Sequence, residues 1–211
     1  WPSIRFQRNN NTYRILLGLC QLVLEGMLLT TDKGEYRLAS FIKPDQMNRL
    51  YEKFILEYYS REHPEVNASA PQIPWVVDDG YRTMLPTMRS DIMLANQAGD
   101  RVLIIDAKYY TNTMQSHYDV NSLRSAHLYQ IFTYVKNKEA SFGDRPHRVS
   151  GMLLYARTDE EIQPDNTYQM SGNQIGVHTL DLNRKFSEIA SQLDRIVSVH
   201  FGNADAEQEV S

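Results

Sequence analysis

Three residues could do chemistry together if the chain folds a hairpin around them: Asp91, Asp106 and Lys108. The segment Gln97-Ala98-Gly99-Asp100 has the composition of a short hairpin loop. Asn96 then pairs with Arg101, and counting outward brings Asp91 opposite Asp106 on the same face. Directly opposed residues have Cβ atoms about 4.5–5.5 Å apart. Lys108 lies two residues beyond Asp106, and the strand period of two puts its ammonium on that face as well. Two like charges held so closely drive one acid to take up a proton or the pair to acquire a cation. Mg2+ suits the second course, because it prefers oxygen ligands and keeps several waters, so two carboxylates plus a substrate phosphate complete a site. Mn2+ could take the same place. Such a metal polarises a phosphodiester and acidifies a bound water; the lysine would orient that water or stabilise charge growing on the phosphoryl oxygens. A plainer reading stays open, since aspartates beside a hairpin with a neighbouring lysine also make an ordinary ion pair. Against it, Asp106 and Lys108 interrupt a run, Val102-Leu103-Ile104-Ile105, that is apolar on both faces.

These residues need elements to hold them. Arg101 to Tyr110 reads as a central strand covered on both sides, and Arg82 to Asn96 as a stretch that enters a strand by Ser90. Leu123 to Lys138 is predicted helical, with Leu128, Ile131, Phe132 and Val135 as its apolar stripe and Gln130 beside it. Upstream, a helix from Pro44-Asp45 to about Arg61 carries Met47, Leu50, Tyr51, Phe54 and Tyr58, and His63-Pro64 stops it. Pro71, Pro74 and Asp78-Asp79-Gly80 mark a loop. Val149 to Ala156 and Ile175 to Leu180 are further strands, and Phe186, Ile189, Leu193, Ile196 and Val197 belong to a last helix. We expect three parts: a helical N-terminal extension packed on the core (1–45, with its helix over Tyr13 to Leu29), the core itself (46–201), and a disordered acidic tail (202–211).

Composition narrows the function classes. With 42% hydrophobic and 23% charged residues in 211, this is an ordinary globular chain. No apolar run approaches the roughly 18 residues of a spanning helix, and no signal peptide opens it, so no membrane role is expected and the expected compartment is the cytoplasm. The lone Cys20 excludes an internal disulfide or a cysteine zinc site, and His117 and His147 have no partner at ligand spacing. A net charge of -4 argues against a broadly basic nucleic-acid surface, which leaves attraction to a local patch or a bound cation. Arg82, Arg89, Lys136 and Lys138 are candidates for that patch, although solvated charge is the commoner outcome; His127 and Tyr134 are expected to pack. The opening Trp1-Pro2, without methionine, reads as a piece of a longer chain.

A helix containing Glu57, then Asp91, then Asp106-Ala107-Lys108, resembles the PD-(D/E)XK nuclease superfamily. More narrowly, Leu50-Tyr51-Glu52-Lys53-Phe54, Leu85-Pro86-Thr87-Met88-Arg89-Ser90-Asp91-Ile92, Ile105-Asp106-Ala107-Lys108-Tyr109-Tyr110 and Leu128-Tyr129-Gln130, in this order, resemble the McrC family. The resemblance implies an α/β fold with a restriction-endonuclease-like core, a central mixed sheet flanked by helices. It implies a metal-dependent endonuclease of a restriction system that cuts DNA containing methylated cytosine. Asp91 and Asp106 would be metal ligands and Lys108 the catalytic lysine. Glu57 would support the metal directly or through water, or else form an i, i+4 ladder with Lys53 and Arg61; Gln130 would reach back to the site. The implied partners are DNA and an McrB-like AAA+ GTPase, met through a region upstream of the nuclease domain that a chain opening at Trp1 is expected to lack. The chain has no GxxxxGK[ST] loop of its own. Two departures stand out: no proline directly precedes Asp91, and aspartate replaces the commoner glutamate at 106. A catalytically idle nuclease fold used for DNA binding or assembly is the alternative.

Overall fold

The computed structural model describes residues 44–109, 114–117, 120–158 and 160–202. In chain order these form α1 (Pro44–Glu62), β1 (Val66–Ser69), β2 (Gln72–Ile73), β3 (Met88–Arg89), β4 (Ile92–Asn96), β5 (Arg101–Lys108), β6 (Met114–His117), β7 (Val120–Leu123), α2 (Ser125–Ala140), β8 (Arg148–Ala156), β9 (Asn166–Met170), β10 (Asn173–Leu180) and α3 (Phe186–Phe201). The expected extension, tail and first helix fall almost wholly outside the described residues. Among the described residues no helix is long and apolar enough to cross a membrane.

A mixed six-stranded sheet, in the order β1-β4-β5-β8-β10-β9, forms the centre. β5 is antiparallel to β4 and parallel to β8, and every residue from Val102 to Lys108 is buried. That explains its unbroken apolar run, because both of its faces are covered. Leu103, Ile105 and Ala107 face one layer with Ile92 and Leu94 of β4, against Tyr51, Phe54, Ile55 and Tyr58 of α1 and Ile189 and Leu193 of α3. Val102 and Ile104 face the other with Met93, against Ile131, Tyr134 and Val135 of α2. The even-numbered face of β5 is therefore the α2 face, and Asp106 and Lys108 belong to it.

The β4–β5 register is the one the loop length predicts: Ala95 lies opposite Val102 and Ile92 opposite Ile105. The loop turns at Gly99, whose φ of +74° suits a residue without a Cβ. Asn96 secures it, its side chain accepting from Arg101 N and donating to Asp100. α2 sits close on β8 because position 151 is glycine. A Cβ there would meet Ile131 and Val135 at 2.8 Å and Ile175 at 2.9 Å.

Several elements differ from expectation. β1 lies in the segment read as loop; only four residues long, it shows one buried position, Val66, too few for an alternating signal. β9, Asn-Thr-Tyr-Gln-Met, is an exposed edge without an apolar face. The β6–β7 hairpin occupies the approach to α2, which begins at Ser125 rather than Leu123.

Candidate active site

Past the last β4–β5 ladder pair the chain bends at Ser90 and Asp91. Ser90 is buried and fastened through its backbone N and its hydroxyl to the carbonyl of Pro71. This brings Asp91 alongside Asp106, and its Oδ2 accepts a hydrogen bond from Ala107 N at 2.9 Å. An aspartate side chain thus takes a backbone amide of the catalytic-candidate strand just where strand pairing stops.

Asp106 is 1% exposed. Lys108 Nζ stands 2.8 Å from its Oδ2 as a buried ion pair, off the best hydrogen-bond direction, while Oδ1 has no directed donor. Burial raises the Asp106 carboxyl above the ordinary range; Lys108 opposes the rise and the neighbouring Asp91 adds to it. Burial likewise raises Asp91, with Lys108 and the Ala107 amide opposing.

α2 closes the site from above. Gln130 Oε1 lies 3.4 Å from Lys108 Nζ, and its Nε2 donates to Tyr134 OH at 2.9 Å, which orients the amide with its oxygen toward the lysine. One turn earlier His127 is buried, its Nδ1 2.8 Å from the hydroxyl of Tyr155, and Tyr155 is the β8 partner of Lys108. Burial first, then Lys108 and Arg124, lower His127 to about 4, so the imidazole is neutral at neutral pH. His127 and Tyr134 pack, as expected, while also lining this polar layer.

Glu57 takes the second of its two expected readings, the i, i+4 contact with Arg61. It pairs with Arg61 one turn on, at 3.2 Å; among the described residues no three or more acids, histidines or cysteines, those around Asp106 included, are grouped closely enough to hold a metal by themselves. The helix acid that reaches the site is Glu52, whose carboxyl burial, then the charge of Asp91, push up to about 7 against Lys108, Arg49 and Arg89. Asn48 donates to Glu52 and accepts from Tyr109 N at 2.9 Å, clamping α1 to the end of β5. Five residues of helix turn Glu57 about 140° away from Glu52. Met47, Tyr51, Phe54, Ile55 and Tyr58 mark the buried stripe, with Glu52 and Glu57 on its opposite flanks, so periodicity alone could not say which flank meets the site.

The basic candidates divide as well. Arg89 is close enough for its charge to act on Asp91 and Glu52. Lys136 is bound to Glu139, the Ser171 carbonyl and Asn173, and Lys138 lies over the Phe142 ring; both belong to the far end of α2.

Chemically, Asp91 and Asp106 are the oxygen donors here that could hold a hard divalent cation, with Lys108 beside them.

A family model described as "McrBC 5-methylcytosine restriction system component" matches residues 1–156. The chain belongs to this family. It is 26% identical over 190 residues to the Type IV methyl-directed restriction enzyme EcoKMcrBC of Escherichia coli strain K12, an alignment covering 88% of this chain and 53% of that protein. The McrBC-family chain thus spans about half the length of that relative. Among solved structures, a half-complex from the tetradecameric assembly of Thermococcus gammatolerans McrB AAA+ hexamers with bound McrC aligns at 17% identity and a TM-score of 0.46, over 71% of this chain and 33% of that one.

Proposed function

We propose that this domain hydrolyses DNA phosphodiester bonds with Mg2+, as the cleavage component of a modification-dependent restriction system acting with an AAA+ GTPase partner. The carrying observation is the buried Asp106 carboxylate, with one oxygen on Lys108 and the other without a directed donor, beside Asp91. A purely structural ion pair accounts for Oδ2 but leaves the buried Oδ1 without a directed donor, an arrangement that burial penalises unless something else completes it. Asp91 and Asp106 would hold the metal, which when bound would polarise the scissile phosphate and acidify an attacking water. Lys108, steadied by Gln130 and through it by Tyr134, would place its ammonium against the developing phosphoryl charge. Glu52, rather than Glu57, would complete the acidic wall from α1. Membership of a family of restriction-system components supports both the DNA substrate and a partner.

The test is plasmid cleavage in Mg2+ with the partner subunit present. Asp91→Ala, Asp106→Ala and Lys108→Ala should each abolish cutting while circular dichroism stays unchanged. Full activity in any of the three removes that residue from the mechanism.

A further inference from the structure

α2 is fixed on β8 at two places. Near its middle, Gly151 puts no side chain under Ile131 and Val135, so the helix settles directly on the strand. Four residues further along β8, on the same face, stands Tyr155, fully buried in the α2 layer. Its ring lies 5.9 Å from that of His127, and its hydroxyl is 2.8 Å from His127 Nδ1. A glycine under one part of α2 and a tyrosine with a histidine under another set the tilt of the helix on the sheet.

That tilt matters at Lys108. Tyr155 is its parallel partner, so the two side chains rise from one face of adjacent strands, about 4.8 Å apart at the backbone. His127 precedes Gln130 by three residues, which places both on one side of α2. Gln130 Oε1 is 3.4 Å from Lys108 Nζ, near the outer limit of a hydrogen bond, so a shift of α2 by about half an ångström makes or breaks the contact. His127 is buried and neutral at neutral pH, and so meets the Tyr155 hydroxyl this near the lysine without adding a second positive charge. Apolar residues would fill the same space with no polar atoms to bury. A directed hydrogen bond between two buried groups instead fixes one arrangement that apolar packing leaves adjustable.

We propose that His127 and Tyr155 are a positioning pair for Lys108: their hydrogen bond holds α2 at the height from which Gln130 steadies the lysine against the scissile phosphate. The inference rests on the nuclease reading above and adds to it two buried residues that act through α2 rather than on the substrate. Tyr134 orients the Gln130 amide from within the helix, whereas the His127 contact ties that helix to the strand beside the lysine.

Two measurements on the full chain separate geometry from chemistry. In metal-free protein carrying isotopically labelled lysine, the NMR signal of the Lys108 ammonium, assigned by its loss in Lys108→Ala, should move in Tyr155→Phe and in His127→Leu. It should return in His127→Asn, whose amide keeps a polar atom where Nδ1 stands. Plasmid cleavage in Mg2+ with the partner subunit should lose about tenfold in kcat in the first two variants, as for other groups that orient a site through an intermediary, at unchanged KM for DNA. His127→Asn should recover most of that loss, and the double variant Tyr155→Phe with His127→Leu should lose no more than either alone, since the pair acts as one unit. Tyr155→Phe keeps the ring, so it decides the matter even where His127→Leu fails to fold. An ammonium signal unmoved in Tyr155→Phe overturns the inference, as do an unchanged kcat, a loss carried by KM, a His127→Asn variant as impaired as His127→Leu, or multiplying losses in the double variant. Each of these leaves cleavage by the unaltered chain standing. Should the ammonium move as expected while the unaltered chain does not cut, the nuclease reading falls, and the pair is a clamp of the fold with no catalytic part.

Discussion

Asp106 is a buried acid beside another acid, paired with Lys108 on one oxygen and without a directed donor on the other. Its carboxyl is raised in the folded state, so between the ordinary carboxylate value and the raised one the folded chain binds more protons than the unfolded chain. Stability without metal should therefore fall as pH rises through that window, and adding Mg2+ should restore it. Asp106→Asn should flatten the dependence and raise the metal-free Tm while abolishing cleavage. Thermal melts from pH 4 to pH 8, with and without Mg2+, check this; a profile equally steep in the variant would place the titrating group elsewhere. Arg89→Ala should raise KM for DNA severalfold, because its charge acts on Asp91 and Glu52, whereas Lys138→Ala, stacked on Phe142, should leave steady-state cleavage unchanged.

At the scale of elements, α2 must lie close on β8 for Gln130 to reach Lys108, and Gly151 permits it. Gly151→Ala should destabilise the fold by about 1–3 kcal/mol through overpacking against Ile131, Val135 and Ile175. Urea unfolding measures that, and cleavage should fall with it as the helix shifts. α1 and α3 are joined by His63, whose two ring nitrogens contact Glu65 at 2.6 Å and Asp194 at 2.9 Å. Burial lowers its pKa, but the two hydrogen bonds more than offset this and the net shift is upward. Its contribution is thus fully present below about 6.5, the unfolded value, and is lost as pH rises through the raised one. His63→Gln should erase that alkaline loss, visible as convergence of the two proteins' melting temperatures at high pH. The hairpin register was legible in the sequence because loop length and strand period together leave one solution. The choice between Glu52 and Glu57 was not, because both flank the same buried stripe of α1 and only the position of α1 on the sheet decides between them. β9 escaped notice because an exposed polar edge carries no periodic signal.

Across the whole molecule, the central sheet gathers residues from the β4–β5 hairpin, β8 and two helices that belong to opposite layers. Two pairings in this sheet are local, β4 with β5 across four residues and β9 with β10 across two, whereas β5 meets β8 only after the β6–β7 hairpin and α2 intervene. Local pairings close with the least entropy loss and tend to form early in folding. The β4–β5 hairpin, one of these two early pairings, is thus the one that presses Asp91 against Asp106, before α2 arrives with Gln130. The clash between the acids then burdens the folding transition state and not the native state alone. Neutralising it should speed refolding more than it slows unfolding. Stopped-flow refolding of Asp106→Asn in metal-free buffer should show a faster folding limb with a nearly unchanged unfolding limb; a gain confined to slower unfolding would mean that the acids meet only after the barrier.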